Sequence, residues 1–180
     1  NETKDGFRFN ETDWMLSEAQ KRGVKVTLAI GGKVPRWPEC FVPDEVRVLD
    51  SKIQEQRLMA YLTATVNHFS KAPALDRWQV ENEPLLRFGK CPKPNRALLE
   101  REIALVKSLD ASHPIQLTVS GELEGWYLLG SKADVLGISM YHIANDRIFG
   151  TLRYGLPPLW YAFQALPVPN RTRIIISELQ

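Results

Sequence analysis

Five times along the chain a run of apolar and β-branched residues alternates with a segment of helical periodicity, and this repeat limits the fold more than any other feature. The strand-like runs are residues 24–30, 77–83, 115–121, 134–142 and 172–178. Before and between them lie helix-like segments at 11–22, 51–71, 95–109, 124–132 and 157–166. Trp14, Met15 and Ala19 mark the apolar face expected of the first helix, and Gly23 its stop. Ile53, Leu58, Tyr61, Leu62, Val66 and Phe69 mark the second; Leu98, Leu99, Ile103, Leu105 and Val106 mark the third. Residues 33–50 hold Pro35, Pro38 and Pro43 beside Trp37, Cys40 and Phe41, and read as a shaped loop wall.

The strand-like runs read as continuously apolar, which indicates a parallel sheet covered by helices. An open doubly wound sheet and part of a (β/α)8 TIM barrel both fit. No run opens into a Gly-x-Gly-x-x-Gly turn entering a helix, so a dinucleotide site has no support. Polar residues collect instead where the runs end: Asn82 and Glu83, Ser120 and Glu122, Tyr141 and His142, and Glu178. In a barrel those ends converge on one mouth, where active sites of that architecture sit. The expected fold is therefore α/β: a partial TIM barrel of five parallel strands with covering helices, one incomplete domain over residues 1–180.

Composition narrows the partners. With 44% hydrophobic and 24% charged residues the chain is ordinary globular sequence, and its net charge of +2 is spread in small mixed clusters rather than a basic stripe. Nucleic acid is not expected as a partner, and no apolar run approaches the roughly 20 residues of a membrane span. Both ends look like cuts inside a larger domain.

Within this frame, Asn82-Glu83-Pro84 is expected to close one strand, with Pro84 expected to hold Glu83 in extended backbone. Tyr141 stands at the end of the strand two further on, and Ser177-Glu178 at the end of the next. This spacing resembles the clan A glycoside hydrolases, the cellulase-like (β/α)8 enzymes. In that clan the acid/base glutamate follows an asparagine at the end of the fourth barrel strand, and the nucleophile ends the seventh. The resemblance implies that the five runs are barrel strands three to seven, with the first, second and eighth strands absent. It further implies a retaining glycoside hydrolase acting on an oligo- or polysaccharide, a monomer when complete, without a cofactor. Glu83 would be the acid/base and Glu178 the nucleophile, Tyr141 would steady Glu178, and Asn82 would bind a sugar hydroxyl. Retention requires carboxyl groups about 5 to 5.5 Å apart.

Other readings stay open beside this one. Glu81 competes with Glu83, because alternation along a strand sends both to one side. Glu122 is a loop residue or a substrate contact; His142 is a sugar contact or a packed loop residue. Trp37 is either an aromatic platform for a sugar face or an anchor on the barrel rim. Trp78, Trp126, Tyr127, Trp160 and Tyr161 are expected to be structural. Cys40 and Cys91 fall in loops leaving the same end of neighbouring strands, so they form either a disulfide or two separate thiols, and a bridge favours an extracytoplasmic setting. A divalent metal held by Glu83, Glu122, His142 and Glu178 would instead suit a sugar isomerase or lyase. A non-catalytic carbohydrate-binding barrel is the third alternative.

Overall fold

The computed structural model describes residues 2–3, 6–146, 150–153 and 155–179. Two short strands, β1 (Glu2–Thr3) and β2 (Gly6–Phe7), form an antiparallel ribbon ahead of helix α1 (Asn10–Lys21). The central sheet then begins with β3 (Val26–Ile30) and β4 (Leu75–Val80), joined through α2 (Asp44–Arg47) and α3 (Ser51–Phe69). Helix α4 (Arg96–Leu109) leads to β5 (Ile115–Ser120), and α5 (Tyr127–Gly130) to β6 (Val135–Met140). A hairpin of β7 (Ile143–Asp146) and β8 (Gly150–Arg153) follows, then α6 (Pro158–Ala165) and β9 (Arg173–Leu179). The sheet order is β3-β4-β5-β6-β9, and every neighbouring pair is parallel. Five parallel strands taken in chain order, with helices in the connections, are a segment of a (β/α)8 barrel. Among the described residues no helix is long and apolar enough to cross a membrane.

The two faces of this sheet differ. Trp78, Val80, Ile115, Leu117, Val119, Leu136 and Ile138 pack on Leu62, Val66, Leu99, Ile103, Val106 and Leu129 to form the hydrophobic core. On the strands the alternate positions Gln79, Gln116, Thr118, Ser120 and Ser139 are equally buried but polar. The runs that read as uniformly apolar thus alternate, and hydrogen bonds satisfy part of the polar set, while Gln116 Oε1 and Ser139 Oγ are buried without a partner among the described residues. Gln116 Nε2 donates to Gln79 Oε1 at 3.1 Å, and Gln79 Nε2 donates to Asn82 Oδ1 at 3.1 Å. Gly137 makes room beside this layer, where a Cβ would come within 2.9 Å of Ser177 Oγ and 3.0 Å of Gln116 Nε2.

Several expected core positions lie outside. Trp14 is 66% and Met15 52% exposed, because α1 turns Leu16 to the core and those two lie off that face. Tyr127 is exposed because α5 is a single short turn of helix rather than the nine residues expected, and Trp160 is exposed on α6. Trp126 is core, and Tyr161 packs half-buried against it. Trp78 is fully buried, its indole N–H donating to Asp110 Oδ2 at 2.9 Å. The hairpin β7–β8 replaces the loop expected after the fourth run; its tip, 147–149, lies outside the described residues, as does Gln180.

Cys40 and Cys91 are bridged, with Cα atoms 5.2 Å apart. The bond joins the loop after β3 to the loop after β4 across 51 residues of chain. Closing a loop of that size in the unfolded ensemble is worth about 4 kcal/mol by chain entropy. Replacing both cysteines by alanine is therefore expected to lower unfolding free energy by about that amount, as measured by urea denaturation of the two proteins in parallel.

Candidate active site

Strand β4 ends at Val80, and the next three residues leave the strand geometry altogether. Glu81 and Glu83 both have positive φ, 60° and 41°, so Glu83 is not in the extended backbone expected before Pro84; non-glycine residues occupy this region only when their surroundings hold them there. The surroundings are visible. Glu83 N–H donates to Thr118 Oγ1 at 2.8 Å, and the same hydroxyl donates to Asn82 Oδ1 at 3.1 Å. Lys33 Nζ donates to the Glu83 carbonyl at 2.9 Å and to the Leu86 carbonyl at 3.1 Å. Glu83 is 6% exposed. Burial and the nearby charge of Glu124 push its carboxyl up to about 7, with Glu178 adding to the rise and Ser139 and Lys33 working against it.

Glu178 arrives from the far side of the sheet. A register shift between Ile138 and Ser139 pairs Glu178 with Ser139, so its side chain comes alongside the end of β6. Tyr141 donates its hydroxyl to the Glu178 carboxyl. Burial together with that acceptor raises the tyrosine pKa, and the charges of Glu83 and Glu39 add to it. Glu83, Tyr141 and Glu178 therefore share one electrostatic neighbourhood at the C-terminal end of the sheet.

The remaining sequence candidates are placed as follows. Asn82 is 3% exposed with Oδ1 committed to Gln79 and Thr118, so only its amide nitrogen is uncommitted to that layer. His142 is exposed, its ring 6.4 Å from that of Tyr161 in an edge-on arrangement. Tyr161 in turn donates to Glu122 Oε1 at 2.9 Å, which makes Glu122 a partner of α6. Trp37 is 64% exposed on the bridged loop, edge-to-face with Phe88 at 6.0 Å. Among the described residues no three His, Cys, Asp or Glu side chains are grouped to hold a metal ion, so Glu83, Glu122, His142 and Glu178 are not drawn together as ligands.

Glu81 stands in different surroundings from Glu83. Because both residues lie beyond the strand, alternation does not apply, and the Glu81 carboxylate accepts the backbone N–H groups of Gly32 and Lys33, each at 2.6 Å. It meets Glu102 of α4, which is 2% exposed, and burial plus the Glu81 charge push Glu102 up to about 10. The pair lines a cavity of about 670 Å³ between α3 and α4 whose lining includes neither Glu83 nor Glu178. Gly31, at φ 125°, is required here: a Cβ would stand 2.4 Å from Glu81 Oε1. Sequence reasoning missed Lys33, Glu102 and Glu124. The glycine pair before Lys33 was the available signal for a close approach of chain; Glu102 reads as any charge on an amphipathic helix.

No family model and no curated protein matches the chain. Among solved structures it is similar to xylanase A of P. fluorescens subsp. cellulosa in complex with xylopentaose, with 13% identity, TM-score 0.69, and coverage of 97% of this chain and 56% of that one. It is also similar to a β-galactosidase from the psychrophilic Marinomonas ef1, with 13% identity, TM-score 0.56 and coverage of 78% and 34%. A β-glucuronidase of Bacteroides uniformis gives 19% identity, TM-score 0.51 and coverage of 72% and 15%. The chain thus spans about a third and just over half of the first two relatives' lengths. These likenesses establish the fold, a segment of the barrel that such glycosidases share.

The Glu81–Glu102 pair makes stability depend on pH. With its folded pKa raised to about 10, Glu102 keeps its proton in the fold while the unfolded chain releases it above the ordinary carboxylate range. Folding then binds the extra proton, so stability is full at acid pH and falls as pH rises. Glu102→Gln keeps a donor toward Glu81 without this linkage. Relative to the parent, the variant is expected to lose less stability as pH rises above the ordinary carboxylate range, read from urea midpoints at a series of pH values.

Proposed function

We propose that the chain carries the catalytic centre of a retaining O-glycoside hydrolase acting on an oligo- or polysaccharide. The observation that carries this reading is the trio at the strand ends: Glu178 accepting the Tyr141 hydroxyl, beside a buried Glu83 held protonated up to about pH 7. One carboxyl buried beside other negative charge, and a second fastened by a hydrogen bond, is the division of roles that double displacement needs.

In the first step a Glu178 carboxylate oxygen bonds to the anomeric carbon as the glycosidic C–O bond breaks, and Glu83 gives its proton to the departing oxygen. In the second, Glu83 takes a proton from water, the water oxygen bonds to the anomeric carbon, and Glu178 leaves. Tyr141 holds the Glu178 carboxyl oxygen that does not attack, fixing its orientation. The amide of Asn82 suits a hydroxyl next to the bond being cleaved, and the exposed Trp37–Phe88 pair offers an aromatic face to a sugar ring. The Cys40–Cys91 bridge accords with an oxidising compartment.

The test uses the full-length protein with a panel of 4-nitrophenyl β-glycosides of glucose, galactose, xylose, mannose and glucuronic acid. Turnover is expected with at least one, and the first product seen by ¹H NMR keeps the anomeric configuration of the substrate. Glu83→Gln is expected to lower kcat/KM by about 10² to 10⁴ on substrates with poor leaving groups, and Glu178→Gln to abolish turnover. Undiminished turnover in Glu178→Gln, or an inverted first product, overturns the assignment. Oligosaccharide binding without hydrolysis by the parent points to the non-catalytic barrel. Because the acid must carry its proton, kcat/KM is also expected to fall as pH rises through about 7, read from a pH–rate profile.

A further inference from the structure

Lys33 has no part in the reaction as written, yet it is among the most enclosed charges of the chain. It is 6% exposed, and its ammonium touches three separate pieces of backbone and side chain. It donates to the carbonyls of Glu83 and Leu86 in the loop after β4, and it pairs with Glu39 Oε2 at 3.2 Å in its own loop. Its backbone is equally held: its N–H donates to Glu81 Oε2, and its carbonyl accepts the Asn82 N–H at 2.8 Å. A lysine tail this fixed is a stationary point charge.

Around it stand carboxyl groups from every neighbouring connection. Glu39 comes from the loop after β3, Glu81 and Glu83 from the loop after β4, Glu124 from the loop after β5, and Glu178 reaches Glu83 from β9. Glu124 is itself anchored, accepting the Ser120 N–H at 2.9 Å. The Lys33 ammonium is thus fixed 2.9 Å from the backbone carbonyl of Glu83, and Glu124 is fixed at the end of β5, so a held cation and a held carboxyl both act on the Glu83 carboxyl in a region where water screens little.

We propose that Lys33 and Glu124 are positioning residues that act on Glu83 in opposite senses, Glu124 holding the proton on the carboxyl and Lys33 fixing the loop and easing the proton's release. The inference rests on the hydrolase reading for its purpose, since an acid/base must surrender a proton in one half-reaction and regain it in the next. Burial and two neighbouring carboxyls push Glu83 only toward retention. Lys33 supplies the opposing charge, and as a single bonded group it ties that charge to the backbone that carries Glu83.

The experiment follows the ¹³C side-chain carboxyl resonance of Glu83 through a pH titration of the full-length protein, with the alkaline limb of kcat/KM measured beside it. Lys33→Gln keeps a hydrogen-bond donor and loses the charge; its Glu83 midpoint is expected to rise by about one pH unit or more. Lys33→Arg, which keeps the charge, is expected to stay near the parent. Glu124→Gln retains an oxygen for the Ser120 N–H and is expected to move the midpoint down. If Lys33→Gln fails to fold, Glu124→Gln decides the matter. Midpoints unmoved in the folded variants overturn the proposal, because a merely structural lysine would change stability and leave the titration in place. The carboxyl signal needs no turnover: opposed shifts in a protein that cleaves no glycoside would retain the tuning and remove the hydrolase reading. Normal turnover with unmoved midpoints would remove the tuning alone.

Discussion

A line of hydrogen bonds inside the sheet governs what happens at its end. It runs from Gln116 to Gln79, from Gln79 to Asn82, and through the Thr118 hydroxyl to the amide of Glu83. Each member is buried, so each bond left unmade would leave a desolvated polar group without compensation. That cost locks the register of β4 against β5 and carries the lock past the last strand residue into the loop. The positive φ of Glu83 is sustained by it. A fold whose strand ends were held only by apolar contacts would let this backbone relax.

The acidic groups beyond this line are arranged by environment rather than by sequence spacing. Glu81 is satisfied by two backbone N–H groups and is coupled electrostatically to the buried Glu102 behind the sheet end. Glu83, two residues on, is enclosed near Glu124 and Lys33 at the front. Glu178 is half-buried and fastened to Tyr141. Three chemically identical side chains thus face a helix layer, a charged pocket and a phenol. The disulfide binds together the two loops that frame the middle case, keeping Lys33, Glu39 and the Glu83 loop in one unit.

The sequence made the barrel segment legible because five apolar runs separated by helical periods admit few arrangements. It also located Glu83, Tyr141 and Glu178 at one end of the sheet, since strand ends in a parallel sheet all point the same way. The polar interior layer was hidden: Gln79, Gln116 and Thr118 are isolated polar residues in runs dominated by branched apolar ones. Glu102 and Lys33 were hidden for a different reason. Whether a charged residue on an amphipathic helix or in a proline-rich loop is buried depends on which other connection closes over it, and that is decided by tertiary packing. The hairpin β7–β8 likewise had only a glycine to announce it.

Gly31 and Glu81 lie fifty residues apart in the chain, yet the room one leaves is the room the other fills. Any side chain at position 31 would collide with the Glu81 carboxylate, and its loss would leave the Gly32 and Lys33 amides unanswered. The glycine and the glutamate are thus two halves of one turn, the turn that delivers Lys33 to the Glu83 loop.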